Sequence, residues 1–157
     1  MREKIVAGNW KMNTTLEEGV ELAKQVNDMV KQEAAEDVRV IIAPPFIHLT
    51  EVGKAVDTNR IHISAQNAAA EPKGAFTGEV APAMLRSAGV EYTILGHSER
   101  RSYYHEDDAL LEKKLKLALQ EGVKPIFCIG EVLEEREANK QAEVVRKKKK
   151  KAVFKLA

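Results

Sequence analysis

A single cysteine, Cys128, stands among 157 residues, so an internal disulfide framework is excluded and a reducing compartment is the expected setting. Long apolar runs are missing as well. No stretch approaches the ~18 residues that a membrane helix needs. Met1-Arg2-Glu3-Lys4 runs directly into an expected strand, without the apolar core of a signal peptide, and cytoplasm is the expected location. No Gly-x-Gly-x-x-Gly turn follows the first apolar run, which counts against a dinucleotide-binding fold. No set of His, Cys and carboxylate residues has metal-ligand spacing, and no metal is expected. A basic footprint is lacking too. Net charge is +1, yet residues 147–151 alone carry five positive charges, which leaves the remainder at −4. A mildly acidic body does not fit a nucleic-acid binder. The lysine run has no interleaved aromatics, and such tracts by themselves bind polyanions without specificity.

What is present is 44% hydrophobic and 31% charged, enough for one domain with a real core. The most telling stretch is Glu91-Tyr92-Thr93-Ile94-Leu95-Gly96-His97-Ser98-Glu99-Arg100-Arg101. Its first half reads as a buried strand closed by glycine; its second half puts ionisable groups where that strand emerges. A lone His beside charges is usually a satisfied surface or core histidine. However, Ile5-Val6-Ala7-Gly8-Asn9-Trp10-Lys11-Met12-Asn13 has the same order of apolar run, glycine and polar groups. Two strands ending this way imply side chains converging on one rim.

In chain order, strands are expected at residues 4–11, 38–43 and 61–66, then a fourth that ends at 97, and a fifth at 125–129. Parallel strands buried on both faces give such apolar runs. Overlapping capping boxes, Thr14 with Glu17 and Thr15 with Glu18, open a helix whose face is Leu16, Val20, Ala23, Val26 and Val30. Further helices are expected over 46–56, 79–88 (capped by Gly89), 106–120 (closed by Gly122) and 132–157. The 106–120 helix should bury Leu111, Leu115 and Leu119, with Glu106, Asp107 and Asp108 at its dipole-favoured start. A long loop, 67–77, reads as functional or as an interface. His48 and His105 are expected at the surface, His62 in a structural role, and Cys128 as a small buried hydrophobe. Strand–helix alternation means parallel strands with right-handed crossovers. Pattern alone leaves an open doubly wound sheet and part of a barrel equally open.

Ala7-Gly8-Asn9-Trp10-Lys11-Met12-Asn13, Leu95-Gly96-His97-Ser98-Glu99-Arg100-Arg101, Cys128-Ile129-Gly130-Glu131 and the loop Gly74-Ala75-Phe76-Thr77-Gly78-Glu79 resemble the triosephosphate isomerase family in order and spacing. The resemblance runs from the N-terminus to about residue 145. It implies an α/β fold of the (β/α) TIM barrel class, partial here, with five parallel strands against the eight strands and ~250 residues of a complete barrel. Residues 1–145 are then the N-terminal part of that barrel. Residues 146–157 form a lysine-rich tail, read as a solvated charge run. A sharper reading is that the lysine run is not native but arose from slippage on an adenine tract.

The resemblance also implies a reaction: interconversion of dihydroxyacetone phosphate and D-glyceraldehyde 3-phosphate, a step of glycolysis and gluconeogenesis, without metal or organic cofactor. His97 would be the electrophile, working as a neutral imidazole in this family. Lys11 would set a positive charge near the phosphate and the developing oxyanion. Asn9 would orient the substrate, Glu99 would pair with Lys11, and Ser98 would steady the His97 loop. Gly74, Phe76 and Thr77 would enter a partner subunit in a homodimer. The family's general base, a glutamate after the sixth strand in a tryptophan-containing motif, has no counterpart, since Trp10 is the only tryptophan. The glycine-rich phosphate loops after the seventh and eighth strands have none either. The alternative expectation is therefore a catalytically inactive half-barrel or scaffold that needs a complementing C-terminal part.

Overall fold

A computed structural model describes residues 3–152. Five strands, β1 (Lys4–Asn9), β2 (Val38–Ala43), β3 (Ile61–Ala65), β4 (Tyr92–Leu95) and β5 (Lys124–Phe127), pair in chain order and all in parallel. Between and after them run α1 (Leu16–Glu33), α2 (Leu49–Ala55), α3 (Pro82–Ser87), α4 (Ser98–Tyr103), α5 (Asp108–Gln120), α6 (Leu133–Glu137) and α7 (Gln141–Ala152). Alternate strand residues take opposite faces. Val40, Ile42, Ile61, Ile63 and Ala65 meet the helices and form the core with Ala23, Val30, Val52, Leu85 and Leu115. The alternate set, Ala7, Ile41, Ile94 and Ile126, lines the other side.

That other side is concave. β1 and β5 are the two outer strands. Nevertheless Ala7 and Asn9 share one hollow of about 190 Å³ with Ile126 and Cys128. In a flat sheet, four steps of ~4.8 Å would hold these strands ~19 Å apart. The sheet therefore curls into an open half-barrel, which resolves the choice between doubly wound sheet and barrel. Its first strand is poorly covered: Ile5 and Val6 are 51% and 60% exposed.

Local signals explain the element ends. Thr15 caps α1, its side chain accepting from the Glu18 amide while Glu18 accepts from the Thr15 amide at 2.8 Å. Of the two overlapping boxes this one forms; Thr14 instead adopts φ +72°. After α3, Gly89 has φ +79°, its N–H reaches the Arg86 carbonyl, and the Val90 N–H reaches the Leu85 carbonyl. After α5, Gly122, Val123, Leu119 and Ala118 repeat that Schellman arrangement.

Several expectations need correction. His48 is fully buried: it closes the 3-10 turn Phe46–His48 and packs on α1 at Gly19, where a Cβ would sit 3.0 Å from its Nδ1. Leu16 and Leu119 are exposed; the buried stripes are Gly19, Ala23, Asn27, Val30 on α1 and Leu111, Lys114, Leu115, Ala118 on α5. On α5 the successive steps of 4 from Leu111 through Leu115 drift around the helix and carry Leu119 off the buried face. Glu106 does not serve the dipole of α5. It is buried, and Asp107 is the cap. α3 starts at Pro82 rather than 79, because proline takes the first helical turn. Residues 132–152 form two helices, broken at Asn139 with φ +55°. Lys148 in the tail is half-buried and donates to the Gly130 carbonyl at 2.5 Å. The rest of the tail expectation, residues 153–157, lies outside the described residues.

Candidate active site

The carboxyl ends of β1 and β4 carry the polar groups that the sequence singles out. β1 ends at Asn9, whose side-chain oxygen accepts the Lys11 amide hydrogen at 3.0 Å. Lys11 itself takes φ +55°. Gln66, just past β3, donates to the Lys11 carbonyl at 2.9 Å and to the Ala43 carbonyl at 2.8 Å, tying three strand ends together. Sequence reading missed Gln66; its place at a strand's carboxyl end was the available signal.

β4 ends at Leu95, and Gly96 turns the chain at φ +74°. A Cβ on Gly96 would meet Arg101 at 3.1 Å and Leu111 and Phe127 at 3.2 Å, so the position needs glycine for room as well as for its dihedral. His97 then caps α4. Its Nδ1 accepts the Glu99 amide hydrogen at 3.3 Å. A Glu99 carboxylate oxygen also lies 3.4 Å from Nδ1. One unprotonated nitrogen cannot donate to the second while accepting from the first. The amide is fixed by the helical turn, whereas the carboxylate is held elsewhere, so Nδ1 is assigned as the acceptor and the ring proton falls on Nε2.

What holds that carboxylate is Lys11. Its Nζ donates to Glu99 Oε1 at 2.7 Å, across 88 residues of sequence. In a flat sheet the ends of β1 and β4 would lie ~14 Å apart. Curvature therefore delivers the ammonium and the imidazole to one mouth, with Glu99 touching both. The Glu99 hydrogen bond and charge raise the Lys11 pKa; the same bond, against a smaller desolvation effect, lowers that of Glu99. Both groups are ionised near neutrality.

Around this mouth, Asn9, His97 and Cys128 line the inner hollow, and His97, Ser98, Arg101, Glu131 and Lys148 line a larger cavity of about 580 Å³. Ser98 is exposed at the first position of α4. Burial raises the Cys128 thiol pKa, with Arg101 opposing. Glu131 is held below the usual carboxylate range by its own backbone N–H and by Arg136. Gly74, Phe76 and Thr77 sit apart, on an exposed loop whose Phe76 shares a cavity with Arg100, Tyr104 and Glu106. The loop is closed at its base by Ala69 N–H to Val80 O at 2.9 Å. Among the described residues no His, Cys, Asp or Glu cluster could hold a metal ion.

The family model for triosephosphate isomerase matches residues 4–157. The chain belongs to the triosephosphate isomerase family. It is similar to the triosephosphate isomerase of Porphyromonas gingivalis (strain ATCC BAA-308 / W83), 54% identical over 156 residues, covering 99% of this chain and 62% of that protein. The Bacteroides fragilis protein of the same name is 58% identical over 145 residues, covering 92% and 57% respectively. That of Clostridium novyi is 50% identical over 147 residues, covering 94% and 58%. The chain thus spans about 60% of the length of the curated relatives it matches. Triosephosphate isomerase family membership agrees with the half-barrel, and the lysine-rich residues fall inside the matched span.

Proposed function

We propose that this family member interconverts dihydroxyacetone phosphate and D-glyceraldehyde 3-phosphate, as an intramolecular aldose–ketose isomerase of the cytoplasm acting as a homodimer. The carrying observation is the Glu99 carboxylate gripping Lys11 beside the His97 ring. Isomerisation removes a proton from the carbon next to a carbonyl and returns one to the neighbouring carbon, so negative charge builds on oxygen in between. His97 Nε2–H is the donor for that oxygen. The Lys11 ammonium, kept charged by Glu99, stands over the phosphate and the enediolate. The Asn9 amide orients the substrate. The exposed loop bearing Gly74, Phe76 and Thr77 is the surface offered to the second subunit.

A base is also required, and Glu131 is a poor one. It shares the cavity with His97, but a carboxylate held low by its own backbone N–H and by Arg136 has little affinity for a carbon-bound proton. We place the base outside this chain, in the part of the relatives that it does not span. A second reading, a non-catalytic half-barrel scaffold, is favoured by the exposed Ile5 and Val6.

A coupled isomerase assay separates them. The 157-residue chain alone should show little or no turnover. Adding a polypeptide equivalent to the unspanned part of a relative should restore it, and His97→Gln should abolish the restored activity. Full turnover by the chain alone would remove the need for an outside base. A folded complex without turnover would leave the scaffold reading.

A further inference from the structure

Arg101 spends its side chain on the turn that presents His97, and the sequence reading gave it no role. Its Nε donates to the Gly96 carbonyl at 2.9 Å, and its backbone N–H donates to the His97 carbonyl at 3.0 Å. These two carbonyls belong to the peptide groups on either side of the His97 Cα. Fixing both planes fixes the backbone dihedrals of His97, −53° and 143°, and with them the direction in which the imidazole leaves the chain.

The guanidinium is itself held. Nη1 donates to Asp108 Oδ1 at 3.0 Å, at the start of α5, and Nη2 reaches toward the Cys128 carbonyl at 3.5 Å, beyond β5. Its Cζ lies 5.8 Å from the centroid of the Phe127 ring. Only 17% of the side chain is exposed, so these bonds face little competition from water. Gly96 leaves the space the fork needs, since a Cβ there would stand 3.1 Å from Arg101 Nη2. A planar fork can bond several fixed acceptors at once; a lysine ammonium at that place is a single point. The neighbouring Arg100 serves another purpose, donating to Glu106 at 2.7 Å.

We propose that Arg101 is a positioning residue: it clamps the Gly96–His97 turn and so keeps His97 Nδ1 on the Glu99 amide and Nε2–H aimed into the mouth. The inference rests on His97 being the reacting electrophile, but its test reads the ring rather than turnover.

The test is imidazole proton–nitrogen correlation spectroscopy on the ¹⁵N-labelled 157-residue chain, with thermal unfolding in parallel, for wild type, Arg101→Met, Arg101→Lys and Asp108→Asn. Wild type should show one His97 tautomer, with Nδ1 unprotonated. Arg101→Met should give a mixture of tautomers, and Arg101→Lys a smaller change of the same sign. Asp108→Asn should lower the melting temperature yet leave the His97 tautomer in place, because it spares the Gly96 bond. If Arg101→Met does not fold, the contrast between Arg101→Lys and Asp108→Asn decides. Unchanged His97 signals in both arginine variants, or an equal change in Asp108→Asn, would overturn the clamp. An altered ring in a protein that never isomerises triose phosphates, even when complemented, would overturn the isomerase reading and leave the clamp standing.

Discussion

Glu99 serves two neighbours with one carboxylate, and its loss should be felt by both. Glu99→Gln frees the Lys11 ammonium to wander and lowers its pKa toward the ordinary lysine value, because the raising partner is gone. Lys11→Met should weaken binding of glycerol 3-phosphate ~10-fold, measured by calorimetry, since a charged hydrogen-bond partner is lost. A different carboxylate, Glu106, matters for stability. It accepts from Lys114 Nζ at 2.6 Å and from Arg100 Nε at 2.7 Å. Burial alone would raise its pKa, but the two cations outweigh burial and the net shift is downward from 4.5. A depressed carboxylate stabilises the fold above its unfolded pKa and loses that contribution as pH falls through the folded value. Stability should therefore decline below pH 4.5. Glu106→Gln should cost about 3–5 kcal/mol at neutral pH, because two cations lose their charged partner; urea unfolding measures it. Lys11 and His97 were legible in the sequence because each follows an apolar run and a glycine within a specific motif. Glu106, Lys114 and His48 were not. Hydropathy sends charged and polar side chains to the surface, and only tertiary contact reveals that these three are buried.

At the level of elements, glycine placement was the most reliable signal. Gly89 and Gly122 end α3 and α5 as their positions imply, each at positive φ. No atom lies within 4 Å of a Cβ added at Gly89, so Gly89→Ala isolates the dihedral cost, about 1–2 kcal/mol. Gly96→Ala should cost more, because three side chains crowd the same point. Comparing the two by chemical denaturation checks both values. All five strands were legible as apolar runs; β2 ends where expected, while the ends of the other four were read one or two residues long. The runs continue past the strand ends, into Trp10, which packs on the core, and into Gln66 and Cys128 at the mouth. The break between α6 and α7 was hidden, because Ala138-Asn139-Lys140 contains neither proline nor glycine and the left-handed turn falls on asparagine. Asparagine tolerates that conformation better than most residues.

At the scale of the whole molecule, curvature creates the site and leaves an open flank. β1, β2 and α1 present a groove lined by Val6, Val26, Met29, Val30, Val38 and Val40. An outer strand with Ile5 and Val6 in water is an association hazard. Light scattering on the isolated chain should show concentration-dependent aggregates, and Val6→Lys should suppress them without lowering the melting temperature. Strand order follows chain order, so the sheet can grow one neighbour at a time as the polypeptide leaves the ribosome. The Lys11–Glu99 contact cannot, for 88 residues separate its ends. At ~5–20 residues per second, several seconds of synthesis pass between the two. Throughout that interval a nascent chain carries the Lys11 ammonium, just past its first strand, without its Glu99 partner, and the mouth comes into being only when the fourth strand docks.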